Sequence, residues 1–493
     1  MSEKEIVRTR IAPSPTGMPH IGTFRTIVFN WLFARHHGGK FVVRIEDTDV
    51  ARRVEGALEA ILDGLRWLGL DWDEGPEVGG PYGPYIQSQR LSIYQEHAER
   101  LIKQGDAYRC FCTPERLSAI RQEQQRRKQP SGYPRLCRSL SEEEVNARLA
   151  QGEVPVIRFK VPMEGSTTFH DLIHGDITFP NAALDDFVLI KSDGYPTYHL
   201  AHLVDDHLMR ITHVMRADEW ISSTPRHMLL YQAFGWEPPK FAHVPQILGP
   251  DRSKLSKRHG ATSVIAYRDM GYLPEAMLNY LALLGWAYDA TTEIMSREEL
   301  IRYFSIDKIN KTGAIFDIKK LDWMNGYYIR QLSVPDLTSR LMPYLEQAGL
   351  TTEKDRGYVE QIVPLIQERI RKLSDACELI DFFFADQLEY ESKLLVAKGL
   401  TAESSLSALR AAKERIANLP DWSRSALEDV TRPLADELGV KTGQLFGILR
   451  VASTGRTAAP PLFETMEVLG RERVMARLDV AEEKLEKLAI ASA

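Results

Sequence analysis

Cysteine is scarce in this chain: four residues in 493, three of them between positions 110 and 137. So few cannot make a disulfide framework, and the cluster reads either as a metal site or as thiols that happen to lie near one another. No apolar run approaches the ~20 residues that span a bilayer, which excludes a transmembrane helix. The opening MSEKEIVRTR mixes acids with bases and has no apolar core, so no signal peptide is read and a cytoplasmic location is expected. No GxxxxGK(S/T) loop occurs, which excludes the P-loop class of nucleotide enzymes. Internal repeats and low-complexity tracts are absent. An excess of positive charge is absent too: 62 Lys and Arg against 68 Asp and Glu give a net charge of −6. Any nucleic-acid partner must then be met by local basic patches rather than by the field of the whole molecule.

What is present is the balance of a water-soluble globular protein, 44% hydrophobic and 26% charged, in a chain long enough for two to five domains. Over the first 80 residues strand and helix signals alternate: IVRTRIA (6–12) and FVVRIED (41–47) read as strands, Ile21–His37 and Val54–Leu68 as helices. That order implies right-handed βαβ units and a parallel sheet. GPEVGGPYGPY (75–85) breaks the pattern as a linker. A mixed segment follows to about 195, with strand signals at VIRFKV (156–161) and DFVLIKS (186–192). Alternation then resumes with a helix near 198–209, a strand ITHVMRA (211–217), a helix 222–235 and a strand FAHVPQIL (241–248). One sheet interrupted by an insertion accounts for this better than two unrelated domains. Beyond ~260 helical spacing dominates, as in 273–286, 359–373 and 406–419.

Two segments carry chemistry. IAPSPTGMPHIGT (11–23) lies where the first strand gives way to the first helix, the crevice in which open α/β sheets bind ligands. Its glycines let backbone approach a nucleotide, the helix N-terminus offers N–H groups to phosphate, and His20 is placed to meet a phosphoryl oxygen. Alone, it is equally a Pro/Gly-rich turn with a structural histidine. DRSKLSKRHG (251–260) follows the last strand, with Lys254 and Lys257 flanking Ser256. Two lysines on a loop suit the charge of a leaving pyrophosphate, although such a string alone is more often a solvated turn.

Together, a His-x-Gly after strand one and a Lys-x-Ser-Lys after the final strand resemble the paired HIGH and KMSKS signatures of class I aminoacyl-tRNA synthetases. RIAPSPTGMPHIGT, RIEDTD (44–49), KSDGYPTYHLAHLVDDHLMRITHVMRADEW (191–220) and SKLSKRHG look like segments of the glutamyl branch, over residues ~6–330 and more loosely beyond. The resemblance implies a multidomain α/β plus all-α protein. A Rossmann-like (HUP-type) catalytic domain (1–85 and 196–250) is split by an α+β acceptor-binding insertion (86–195). A stem-contact region (251–330) and a helical anticodon-binding region (331–493, possible division near 390) follow.

It also implies roles. Arg10, Ala12, Ser14, Glu46, Tyr198, His202 and Arg216 would bind L-glutamate, with Arg10 on the side-chain carboxylate and Glu46 on the α-ammonium. Position 202 is histidine where relatives often carry asparagine. His20, Gly22, Glu219, Ile247, Lys254, Ser256, Lys257 and Arg258 would bind ATP, with His20, Lys254 and Lys257 catalytic and Mg²⁺ sharing the phosphate charge. The partner would be tRNA(Glu), met by Trp323, Arg330 and, at the anticodon, Arg369 on QERIRKL (367–373), which reads as helix. The enzyme would act as a monomer, without DNA or membrane. Cys110, Cys112 and Cys137 have the spacing with which some relatives hold Zn²⁺. Here Ser139 replaces the fourth ligand, leaving either completion by His170 or His174 or three free thiols. Arg121, Arg126, Arg127, Lys128, Arg135 and Arg138 would face the acceptor stem, or form a solvated basic face.

The rivals are a form that also charges tRNA(Gln), a glutaminyl enzyme, a truncated tRNA-modifying relative, a small-molecule ligase and a non-catalytic RNA-binding relative. The helical C-terminus weighs against the glutaminyl, truncated and ligase readings, and the retention of His20, Glu46 and Lys257 against the non-catalytic one; charging of tRNA(Gln) stays open, because a single arginine does not settle it.

Overall fold

The computed structural model describes residues 6–129, 132–260 and 263–492. They form two compact units, one within Met1–Tyr267 and Pro274–Ile318, the other within Arg268–Leu273 and Lys319–Ala493.

The first unit runs β1 (Arg8–Ile11), α1 (Ile21–His36), β2 (Lys40–Val43), α2 (Ala57–Trp67), α3 (Leu91–Gln104), β3 (Ala107–Cys110), α4 (Pro114–Arg126), α5 (Glu142–Ala150), β4 (Val156–Phe159), β5 (Ser166–Asp171), β6 (Gly175–Pro180), β7 (Val188–Ile190), α6 (Tyr198–Leu208), β8 (His213–Ala217), α7 (Thr224–Phe234), β9 (Lys240–Val244), β10 (Ile247–Leu248) and β11 (Ala314–Ile315). The main sheet has six strands in the order β2-β1-β8-β9-β5-β6, parallel throughout except for the β5–β6 hairpin at its edge. α1 has almost no polar face: Phe24, Ile27, Val28, Phe29 and Leu32 are all buried. It is an interior helix, packed on β1 and β2 and on helices Pro274–Leu283 and Arg297–Tyr303. Each of those apolar side chains contributes roughly 1.5–3 kcal/mol by leaving water.

Three strand readings are corrected by proline and by polar burial. The 41–47 strand ends at Val43. Beyond it, Arg44 and Glu46 donate their N–H groups to the carbonyls of Ile11 and Pro13, both at 3.0 Å, but Pro13 and Pro15 have no N–H to return, so no regular ladder forms. The 241–248 strand is two strands in different sheets, parted at Pro245. β9 lies in the main sheet, whereas β10 pairs in parallel with β11. The β5–β6 hairpin was not read from the sequence, because two of the three inward positions of β5, Thr167 and Asp171, are polar. It takes part of the 86–195 stretch into the main sheet, while β3, β4 and β7 form a separate antiparallel sheet.

The second unit is helical, from Ile318–Gln331 through Val334–Gln347, Arg356–Ile366 and Asp375–Ile380 to Arg471–Ser492, and no strand occurs among its described residues. Residues 367–373 are turn rather than helix. Asp375 accepts the N–H groups of Arg371 and Lys372, both at 2.9 Å, which starts the next helix instead of extending the last. Among the described residues no helix is long and apolar enough to cross a membrane.

Candidate active site

A cleft of about 900 Å³ opens at the carboxyl ends of β1, β2, β8 and β9, where residues 12–20, 46–52, 216–220 and 246–247 gather. Its lining carries six cations (Arg10, Arg25, Arg52, Lys191, Arg216, Lys254) against three carboxylates (Glu46, Asp49, Glu219). A chain of net charge −6 thus presents a cationic cleft, suited to a polyanion. Of the anticipated residues, Arg10, Ala12, Ser14, His20, Gly22, Glu46, Tyr198, Arg216, Glu219, Ile247 and Lys254 all line it.

Beneath one part lies a buried ionic lattice contributed by β1, the segment after β2, α3 and α6. Asp206 accepts from Arg10 Nε (3.1 Å) and from Arg44 Nη1 (2.7 Å), and Arg44 Nη2 donates to Glu46 Oε1 at 3.1 Å. Asp205 accepts from Arg90, Gln87 and Tyr94 at 2.8–2.9 Å. Paired in this way, charges that would be costly alone are held in fixed positions. Burial raises the Glu46 carboxyl to about 7 even though Arg44 and Arg10 pull it down. His202 does not line the cleft. It is fully buried, with Nδ1 on Asp206 at 3.0 Å and its ring stacked on Tyr198, so it braces the acid that holds Arg10.

Arg216, at the end of β8, differs from Arg10 and Arg44, which meet carboxylates directly, and from Arg25, whose partners are backbone carbonyls. Its Nε donates to His243 Nε2 (3.1 Å), Nη1 to the Tyr198 hydroxyl (2.8 Å) and Nη2 to Thr224 Oγ1 (2.9 Å). Its remaining neighbours, His202 and His227 at 3.5 and 3.3 Å, are likewise uncharged, since burial holds both imidazoles below their ordinary value. A nearly buried guanidinium that faces a cleft without a carboxylate in contact is a receptor for an anion.

Elsewhere in the cleft, His20 caps α1. Its Nδ1 accepts the Gly22 N–H at 3.1 Å, and burial, followed by Lys254, lowers the imidazole below its ordinary value. The neutral ring therefore carries its proton on Nε2, as a donor beside the helix N-terminus. Lys254 Nζ donates to Glu219 at 2.8 Å. The 249–259 loop closes on itself: Gly249 N–H donates to Ser253 O, Leu255 N–H to Ile247 O, and Arg258 to Asp251. A Cβ on Gly249 would stand 2.8 Å from the His259 ring, so glycine is what permits this closure. Ser256 bonds His259 and, like Arg258, does not line the cleft; the Lys257 side chain lies outside the described structure.

In the insertion, the Cys110, Cys112 and Cys137 sulfurs lie within 4.8 Å of one another, with Cys112 and Cys137 3.7 Å apart. That matches the ~3.8 Å edge of a tetrahedron with zinc–sulfur arms of about 2.3 Å. Neither histidine joins them: His170 bonds Asp176 and His174 bonds the His243 carbonyl. The Tyr133 hydroxyl does, at 3.1 Å from Cys110 Sγ, a partner not foreseen from the sequence. Of the six basic residues nearby, Arg135 and Arg138 bind buried Asp186, whereas Arg126 and Arg127 are exposed beside Glu123. In the helical unit, Trp323 is exposed and shares a face of helix Ile318–Gln331 with Arg330, seven residues on. Arg330 lies 3.8 Å from Glu368, and Arg369, in the turn, reaches the Ala459 carbonyl at 3.4 Å.

The family description "tRNA synthetases class I (E and Q), catalytic domain" matches residues 6–323, and "Anticodon binding domain" matches 336–482. A glutamate–tRNA ligase of Dehalococcoides mccartyi is 58% identical over 98% of this chain and 99% of its own length. One of Moorella thermoacetica is 50% identical over 96% and 98%. The crystal structure of a glutamate tRNA ligase from Elizabethkingia meningosepticum in complex with its amino acid superposes with a TM-score of 0.89 at 36% identity, covering 98% of this chain and all of that one. With the parallel sheet, both signature segments in one cleft and a helical anticodon-binding part, the chain belongs to the class I aminoacyl-tRNA synthetases, within the glutamate–tRNA ligase family.

Proposed function

We propose that this cleft activates L-glutamate with ATP and transfers the glutamyl group to the 3′-terminal adenosine of tRNA(Glu), with roles divided as follows. The observation that carries the assignment is Arg216, a buried cation with only neutral partners in the same cleft as the carboxylate of Glu46. Arg216, with Arg10 and the Tyr198 hydroxyl beside it, receives the side-chain carboxylate, Glu46 the α-ammonium, and Ala12 and Ser14 the backbone of the amino acid. His20, Gly22 and the α1 N-terminus receive ATP phosphates, Ile247 the base, and Lys254 exchanges Glu219 for phosphate as charge builds.

In the first step the glutamate α-carboxylate oxygen bonds to the α-phosphorus and the bond to the bridging oxygen breaks, releasing pyrophosphate. In the second, a ribose hydroxyl attacks the acyl carbon, loses its proton, and AMP leaves. The protein forms no covalent bond; it positions and neutralises. Mg²⁺, held chiefly by the phosphates, shares their charge when bound. Zn²⁺, when bound, would be held by the three thiols and would tie β3 to the 133–137 loop, with the Tyr133 hydroxyl hydrogen-bonded to Cys110 beside it. Trp323, Arg330 and Arg369 contact tRNA(Glu), with Arg369 reading the anticodon. The enzyme works as a cytoplasmic monomer.

The test is aminoacylation of glutamate and glutamine tRNA transcripts with labelled glutamate, ATP and Mg²⁺. The expected result is charging of the glutamate transcript alone, lost in Arg216→Ala and Lys254→Ala. Charging of both transcripts would remove the discriminating role from Arg369. A folded protein that charges neither would overturn the assignment.

A further inference from the structure

Behind Arg216 lies a buried relay that does not touch the cleft. Asp171, the last residue of β5, and His243, on β9, are both fully buried and neither lines the cleft. Asp171 Oδ1 accepts the backbone N–H groups of Ile173 and His174, each at 3.0 Å. Its Oδ2 accepts the His243 backbone N–H at 3.0 Å and bonds His243 Nδ1 at 2.6 Å. The opposite ring nitrogen, Nε2, faces Arg216 Nε at 3.1 Å. A guanidinium nitrogen can only donate, so Nε2 must accept and the ring proton must lie on Nδ1, towards Asp171. The carboxylate thereby fixes the tautomer, the ring fixes Arg216, and Thr224 holds the other end of the guanidinium.

We propose that Asp171 and His243 are positioning residues for Arg216, and that they set the pocket's selectivity for a side-chain carboxylate over its neutral amide. The proposal rests on the reading of Arg216 as the anchor of that carboxylate. The contrast with Arg10 explains the arrangement. Arg10 meets Asp206 directly, through both Nε and Nη2, so a carboxylate already occupies its fork. For Arg216 the acid stands one imidazole away. Its orienting effect arrives through Nε, while no carboxylate competes with the substrate for the guanidinium. An amide in the same place would set its NH₂ against guanidinium N–H groups, donor against donor, and this mismatch discriminates only while the guanidinium plane is held.

Asp171→Asn is the sharpest perturbation. The amide can keep the two Oδ1 contacts, but its NH₂ then faces both the His243 backbone N–H and Nδ1–H, so the backbone contact is lost and the other tautomer, with Nε2–H towards Arg216, is favoured. The expected result is a glutamate KM raised about tenfold, with ATP and tRNA KM changed less than about twofold, and a glutamate-over-glutamine preference reduced by a similar factor. His243→Gln, which offers Arg216 a carbonyl oxygen, should retain more glutamate affinity than His243→Ala. Because Asp171 acts through the ring, Asp171→Asn should add little in the His243→Gln background. An unchanged glutamate KM in Asp171→Asn, or equal effects in both backgrounds, would overturn the proposal; an unchanged ATP KM keeps a general folding defect out of the comparison. Arg216→Ala separates the layers. If it too leaves glutamate KM unchanged, the pocket assignment fails; if it raises KM while Asp171→Asn does not, only the relay fails.

Discussion

Glu46 is predicted to make glutamate recognition pH-dependent around neutrality. Its carboxyl is raised to about 7 by burial, against the pull of Arg44 and Arg10. An ammonium ligand needs the ionised form, so binding is competent above that value and lost as pH falls through it. With a midpoint near 7, the ionised fraction drops from about nine-tenths at pH 8 to about one-tenth at pH 6, a factor of about 10 in kcat/KM for glutamate, which reports the free enzyme. Burial lowers His199 to about 4 and His202 to about 3 and shifts His20, His227 and His243 downward, away from the Glu46 midpoint. The assay is aminoacylation from pH 6 to 8 with glutamate varied at saturating ATP and tRNA, and with ATP varied as the internal control. Glu46→Gln should lower kcat/KM at pH 8 towards the wild-type value at pH 6 and flatten the profile. A flat wild-type profile, or the same slope in Glu46→Gln, would refute the reasoning.

Lys254→Ala should reduce kcat about 10²–10³-fold, as loss of a charge aimed at a transition state does. Its partner Glu219 is, like Lys254, about half exposed or more, so stability should change by less than about 1 kcal/mol by denaturant titration. Purified protein should carry one Zn²⁺ per chain by elemental analysis, and Tyr133→Phe or Cys112→Ser should release it to a chelator more readily; metal-free wild type with full activity and an unchanged melting point would sink the site. Asp186→Ala, which leaves Arg135, Arg138 and Tyr108 without their shared buried acid, should cost about 3–5 kcal/mol in a denaturant titration.

Much of the site was legible because its residues sit at element junctions, where short motifs carry both backbone and chemical meaning: Arg10 to Gly22 around the end of β1, and Arg216 to Glu219 at the end of β8. What escaped was whatever depends on long-range burial. Asp205 and Asp206 look like surface charges on an amphipathic α6, yet they are the hidden acids of the lattice. Asp171 lies in a hairpin whose inward polar residues spoil the alternation by which strands are recognised. Tyr133 precedes Cys137 by four residues, and nothing local distinguishes it from a core aromatic. Residues 367–373 keep helical spacing, but the Asp375 cap decides their backbone.

The parting of the chain at Pro245 bears on how the enzyme is made. β10, from which the Lys254-bearing loop hangs, finds its pairing partner at Ala314–Ile315, more than sixty residues further on. A ribosome extending the chain releases both signature segments well before it releases the strand that backs the second one. Pairing across such a separation closes late, because the intervening residues must be ordered first. A nascent chain halted near residue 300 would therefore hold every nucleotide-binding group of the cleft and still lack the edge that fixes its loop.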